Sequence, residues 1–265
     1  MLSNILFKSL WEFKKAALYW FISIFLLALY IIFVISSIEL NAFQTVFDSF
    51  PKALTQFIAG ESGIDFGSIE GFLNAQVFTI MAPIFAISVA VNSGGKSTAS
   101  EETNQSLDII LSTPITREQF IIQKISSMVL KTLFISSAHW LSYYLLCKVF
   151  SENLSPGGLF AICLNLFLMA ISFGMIAVFV GTLSGNPTNS IAVAGGLALV
   201  SYLIANIAPL VESLDSAKYL SLFYYYKAGD PLKVGIHNWH WAPFVIASTI
   251  FFFLSIIQFN RRNLQ

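Results

Sequence analysis

Residues 16–38 read AALYWFISIFLLALYIIFVISSI, an almost wholly apolar run without one charged side chain. A bilayer core of about 30 Å is crossed by roughly 20 such residues in an α-helix. The run is too long for the core of a signal peptide, and no convincing small-residue cleavage site follows it. It therefore predicts a retained membrane helix, and the rest of the chain offers further runs of the same kind.

The composition excludes several classes of protein. Of 265 residues, 56% are hydrophobic and only 11% are charged, whereas a soluble domain carries roughly 25% charged residues. A soluble enzyme, a disordered chain and a nucleic-acid binder are therefore excluded. The formal net charge is +0, which implies no polybasic or polyacidic partner. Two cysteines are too few for a disulfide framework or a zinc cluster.

Uncharged runs predict an all-α membrane protein with six transmembrane helices, because a closed β-barrel lacks such continuous runs. The uncharged stretch 153–211 is long enough for two spans, and Asn186-Pro187 predicts the break between them, as N-cap and first helical residue. In the second span, Pro83 predicts a kink. The predicted spans are about 16–38, 71–93, 120–148, 157–183, 187–210 and 241–260, in one transmembrane domain over residues 1–265.

The basic residues predict a multi-pass protein of the cell membrane with both termini in the cytoplasm. Lys8, Lys14 and Lys15 precede the first span, and Arg261 and Arg262 follow the last. Basic residues concentrate on the cytoplasmic side, and an even number of spans places both ends on one side.

The polar segment 94–119, between the second and third spans, predicts a short amphipathic helix on the cytoplasmic side. Residues 98–101 (TASE) fit a capping box. A helix beginning there has Glu101 and Glu102 in its first turn, where acids complement the helix dipole. Three apolar positions share one face, with an acid beside them: Leu107, Ile110, Leu111 and Asp108.

Pro114 ends this predicted helix, and residues 116–119 (TREQ), which include Arg117, offer a second capping box that opens the third span. Two interpretations of the segment stay open. It is either an interfacial connector between two spans or a lever pressed by a cytoplasmic partner.

Residues 101–117, EETNQSLDIILSTPITR, resemble the cytoplasmic signature of ABC-2 type permeases, the membrane subunits of ATP-binding-cassette transporters. The family pattern is a pair of acids, a Gly-Thr-Leu step, a run of leucines, Ser-x-Pro and a nearby Arg. Asn104-Gln105 departs from it, since Arg-Gly is common there. Further resemblance lies at 10–15, 50–54, 70–73, 224–226, 230–232 and 259–264.

The resemblance implies a transport subunit, and export as its direction. Two six-helix permease subunits, identical or homologous, would each seat the cytoplasmic helix around residues 98–113 on a soluble ABC ATPase dimer. No cofactor is expected in this chain, because Gly181–Asn186 lacks the Gly-Lys-Ser/Thr ending of a Walker A loop. ATP and Mg²⁺ would be bound by the partner. The residues implied in coupling are Glu101, Glu102, Leu107, Asp108, Ile110, Leu111, Pro114 and Arg117.

A polar face on the third span predicts either hydrogen bonds between helices or part of a translocation path. Its members, at spacings of four, three and four, are Thr132, Ser136, His139 and Tyr143. His139 alone would suit a proton relay, but no acid inside a span is there to pair with it. Cys147 and Cys163 could pair if the third and fourth spans adjoin, and the sequence leaves this open.

Two other functions compete with transport driven by ATP. An intramembrane enzyme needs a Ser–His pair or paired acids within the spans, and the sequence shows no recognisable constellation. A secondary transporter needs buried acids or broken helices at the midplane, which are not evident. The substrate stays open.

Overall fold

The computed structural model describes residues 5–51, 66–103, 115–236 and 239–261. Within these ranges the chain is helical and contains no strand. A π-helical turn covers Asn74–Phe78, and 3-10 segments cover Ala208–Leu210 and Glu212–Leu220. The α-helices are α1 (Ile5–Ser37), α2 (Leu40–Asp48), α3 (Ile69–Leu73), α4 (Met81–Gly95), α5 (Ala99–Thr103), α6 (Arg117–Val149), α7 (Pro156–Ser184), α8 (Pro187–Ile207), α9 (Leu222–Lys227), α10 (Pro231–Val234) and α11 (Ala242–Arg261).

The described residues include five helices that are long and apolar enough to cross a membrane. They are α1, α6, α7, α8 with its extension to Leu210, and α11. The segment Ile69–Phe78 and α4 pass the same test together, with a bend of 41° between them. Counted as one span, this pair gives the six crossings that the sequence predicts.

The bend in the second span lies one turn before Pro83, at Thr79. A proline ring clashes with the carbonyl group four residues earlier and has no N–H to bond it. Here that residue is Thr79, whose N–H and hydroxyl both donate to the Asn74 carbonyl oxygen, at 2.9 and 2.8 Å. The chain therefore closes a π-helical turn before the break, and the helix resumes at Met81.

Two spans begin earlier than the apolar pattern predicts. α1 and α6 each have 33 residues, about 50 Å of helix against a bilayer core of about 30 Å. The predicted capping box opens α6: Thr116 Oγ1 accepts from the Gln119 N–H at 3.2 Å, and Gln119 Oε1 accepts from the Thr116 N–H at 3.1 Å. That prediction is confirmed.

α7 is the central helix, and it packs against α4, α6, α8 and α11. Glycine permits a close crossing with α4, because a Cβ added at Gly94 would collide with the carbonyl oxygen of Gly174. The predicted break after α7 is confirmed. Gly185 ends α7 with φ 62°, a left-handed conformation that glycine adopts readily, and the Asn186 side chain then caps α8.

Candidate functional site

The described part of the segment between the second and third spans is α5, and its start is anchored in the bundle. Ser97, Thr98 and Ala99 are at most 3% exposed. The Ser97 hydroxyl donates to the Gly94 carbonyl oxygen at 2.6 Å, which closes the turn between α4 and α5. The segment therefore leaves α4 as a packed extension of that helix.

The capping box predicted at residues 98–101 is wrong. Thr98 Oγ1 is buried without a hydrogen-bond partner in the described part of the chain. Glu101 contacts Lys124 on α6 instead, and the ammonium donates to its Oε1 at 2.7 Å. The side chains of Glu101 and Lys124 are only 22% and 14% exposed, so the attraction is less screened than at an open surface. The ion pair joins α5 to the third span.

A second contact joins α5 to the fourth span. Thr103 Oγ1 donates to the Ala99 carbonyl oxygen at 2.8 Å and lies 3.4 Å from the carbonyl oxygen of Gly185. One turn earlier, a Cβ added at Gly181 would lie 3.4 Å from the carbonyl oxygen of Gly95. The segment thus touches the end of α7 as well as α6.

The other residues implied in coupling divide into two groups. Glu102 is half-buried on α5, and Arg117 is the first residue of α6. Outside the described residues lie Leu107, Asp108, Ile110, Leu111 and Pro114. The amphipathic helix predicted across these positions stays a prediction.

The polar face of the third span lies inside the bundle, and we call it the polar seam. It comprises Thr132, Ser136, His139 and Tyr143, which are at most 3% exposed. Thr132 Oγ1 donates to the Met128 carbonyl oxygen at 2.9 Å, and the His139 ring packs against Phe85 of α4 at 6.0 Å between centroids. The seam lines neither of the two cavities described next.

The first cavity is an apolar groove of about 660 Å³ between α4 and α8. Apolar side chains form most of its wall, among them Ile84 and Ile87 of α4 and Leu199 of α8. Its volume lies within the range of small-molecule sites, roughly 300–1,000 Å³. We call it the apolar groove.

The second cavity, of about 410 Å³, lies between α1, α4, α5 and α6, and we call it the polar cavity. It shares Ser88, Asn92 and Lys96 with the apolar groove. These three residues form an exposed stripe along α4, at spacings of four residues. The stripe is not among the residues predicted from the sequence, although its spacing of four residues along an apolar helix is a signal that reveals it.

Cys147 and Cys163 are both buried and both free. The third and fourth spans do adjoin, since α6 packs against α7. Adjacent spans therefore do not bring the two thiols into a disulfide.

Residues 17–264 match the family model described as ABC-2 family transporter protein. A comparison with curated proteins gives no match. The family model covers almost the whole chain, and its members are membrane transport components. The match agrees with the apolar helices of a multi-pass membrane protein. The chain belongs to the ABC-2 family of transporter proteins.

Proposed function

We propose that the chain is the membrane subunit of an ABC exporter, driven by a separate ATPase through the segment around residues 98–113. The double attachment of α5 carries this proposal. The Glu101–Lys124 ion pair joins α5 to α6, and Thr103 contacts the turn that ends α7. Because the segment is tied to two spans, a displacement imposed on it from the cytoplasm moves both.

The partner supplies the nucleotide chemistry. A soluble ABC ATPase dimer binds ATP and Mg²⁺, because this chain has no Walker A loop. Both termini and α5 lie on the cytoplasmic side in this arrangement, as the basic residues favour. A second permease subunit, identical or homologous, completes the membrane domain.

The translocation path runs along the exposed stripe of α4. Polar groups on a membrane helix are costly against lipid, so such a stripe faces water or protein. On α8, a Cβ added at Gly195 or Gly196 meets no described atom within 4 Å. Small residues let a second helix approach closely. A second subunit seated against α8 would close the apolar groove into a path.

The polar seam is enclosed in the present conformation. His139 of the seam packs against α4 across the interface with α6. The seam, which the sequence offers as path lining, reaches a substrate only when α4 and α6 separate. In this proposal, motion of the coupling segment separates α4 from α6, and the seam residues then line the path.

Two measurements test the proposal. The tagged full chain, captured from native membranes, should bring down a soluble ATPase. The variant Asn92→Cys then places one exposed thiol on the stripe as a reporter of coupling. Both native cysteines are buried, so maleimide should label mainly this new thiol. Its rate of maleimide labelling should change when ATP is added. Glu101→Gln should abolish that change while the ATPase still binds. The matched control Glu39→Gln, an exposed carboxylate beyond the other end of α1, should preserve it.

A full ATP response in the Glu101→Gln protein would contradict the lever. A response to an ion gradient, with no ATPase attached, would favour a secondary transporter. Hydrolysis of a lipid or peptide by the isolated chain would favour an intramembrane enzyme. The response to an ion gradient or the hydrolysis of a lipid or peptide would overturn the proposed function as a whole, whereas the full ATP response would overturn only the lever.

A further inference from the structure

The polar cavity carries more positive charge than its own carboxylates balance. Its walls hold three lysines, Lys96, Lys124 and Lys131, and two acids, Glu12 and Glu101. Glu101 is paired with Lys124 at 2.7 Å. Glu12 lies 3.9 Å from Lys8, which is not part of the wall. In the described part of the chain, no carboxylate lies within 4 Å of the ammonium groups of Lys96 and Lys131.

The hydrogen bonds around Lys131 leave donors without acceptors. The Ser9 hydroxyl oxygen accepts from Ser127 Oγ at 2.8 Å and from the Lys131 ammonium at 2.9 Å. Neither bond uses the proton of the Ser9 hydroxyl. An ammonium group has three N–H donors, and Lys131 uses one of them in its hydrogen bond to Ser9. Free donors in a cavity whose wall holds three lysines and two carboxylates favour an anion with several acceptor oxygens.

Part of the wall of the polar cavity is apolar. Phe13, Ala16 and Trp20 of α1 form this part of the wall. The Lys131 ammonium lies 5.5 Å above the Phe13 ring, and Trp20 meets Phe85 of α4 at 5.2 Å between centroids. Apolar and charged walls therefore meet inside one space, as an amphiphile requires.

Close to Ser9 and Phe13 in sequence, α1 carries exposed residues of the kind typical of a membrane–water interface. Phe7 and Trp11 are 63% and 60% exposed. Their rings stack at 6.4 Å, and Lys14 lies 3.5 Å above the Trp11 ring. Aromatic side chains and lysines of this kind sit at the level of lipid headgroups.

We propose that the polar cavity binds the phosphate group of an anionic membrane lipid. Lys131 and Lys96 contact the charge, and the Ser9 hydroxyl donates to a phosphate oxygen. Basic pockets between membrane helices hold anionic headgroups in this way. The lipid's acyl chains leave the cavity along Phe13 and Trp20. The proposal shares Lys96 with the proposed path and Glu101 with the proposed lever, but its test measures lipid binding alone, so the two proposals can fail separately.

Lipid titration of the purified full chain tests this assignment. In a detergent with an uncharged headgroup, native mass spectrometry should show saturable binding of dioctanoyl phosphatidylglycerol and much weaker binding of dioctanoyl phosphatidylcholine. Lys131→Gln should weaken the phosphatidylglycerol complex about tenfold, the effect of losing one charge-assisted hydrogen bond. Lys131→Arg should retain most of the affinity. Lys15→Gln removes an exposed charge from the same end of α1 and should leave binding unchanged.

Ser9→Ala guards against misfolding caused by losing the Lys131 charge, because it keeps every charge; it removes the Ser9 donor and also the acceptor of the Ser127 and Lys131 bonds. It should weaken binding severalfold, which supports the site. Equal affinity for the two lipids, or undiminished phosphatidylglycerol binding in the Lys131→Gln protein, would overturn the proposal. Displacement of the lipid by an equal concentration of inorganic phosphate would overturn the lipid assignment, since a soluble anion would then suffice.

Discussion

The polar seam of α6 and the exposed stripe of α4 contain similar side chains in opposite environments. The seam residues His139 and Tyr143 have no exposed surface, whereas Ser88, Asn92 and Lys96 of the stripe are all exposed. Both rows follow a helical period inside an apolar span. Spacing therefore shows that a row shares one face of a helix, and only packing shows what that face meets.

The difference also separates two energetic problems. A buried polar group has to find a hydrogen-bond partner, and Ser136 Oγ and Tyr143 OH have none in the described part of the chain. An exposed polar group in a membrane span has to find water or another protein. The seam is thus expected to govern the stability of this subunit, and the stripe its function.

The largest expected effect tests whether the seam is a packed interior. Tyr143→Ala removes a ring that packs against Phe78 at 5.8 Å between centroids. The cavity left behind should lower the free energy of unfolding by about 3 kcal/mol. Thermal unfolding in detergent measures the loss. Tyr30→Ala, which truncates a 63% exposed ring on α1, is the control and should change little. Equal effects of the two variants would show that the seam is loosely packed.

The features that the sequence predicts correctly are local. Residues 116–119 and Asn186-Pro187 carry their capping chemistry within four residues, so the starts of α6 and α8 follow from sequence alone. The six apolar runs are equally local, because span length depends only on bilayer thickness.

The features that sequence missed depend on contacts between distant residues. The first described turn of α1 is tied to α6, because the Ile5 N–H donates to Gln123 Oε1 at 2.9 Å, a partner 118 residues away. Likewise, the Glu101 side chain, which the sequence assigns to a capping box, accepts a hydrogen bond from Lys124, 23 residues further along the chain. No local sequence pattern marks Gln123 or Lys124 as a partner, because the packing of α6 against α1 and α5 determines which residues meet.

A smaller effect tests the cost of the unpartnered hydroxyl in the seam. Ser136→Ala removes a buried group that has no described partner, and it should raise the free energy of unfolding by up to about 1 kcal/mol. Thr132→Val is the matched comparison, because its hydroxyl bonds the Met128 carbonyl oxygen at 2.9 Å; this variant should not be stabilised. Melting curves of both proteins decide the matter. A clear loss of stability on Ser136→Ala would show that this hydroxyl has a partner after all.

The smallest expected effect separates the two environments that an exposed row can have. If Asn92 faced lipid, Asn92→Leu would replace a polar group by an apolar one in hydrocarbon and would stabilise the protein clearly. If Asn92 faces water or a second subunit, that gain is missing, and the free energy of unfolding should change by less than about 0.5 kcal/mol. The reciprocal variant Leu26→Asn changes a 57% exposed position on α1 and should destabilise the protein in the bilayer. Thermal unfolding in lipid nanodiscs measures both variants, and a marked stabilisation by Asn92→Leu would place the stripe against lipid and remove it from the path.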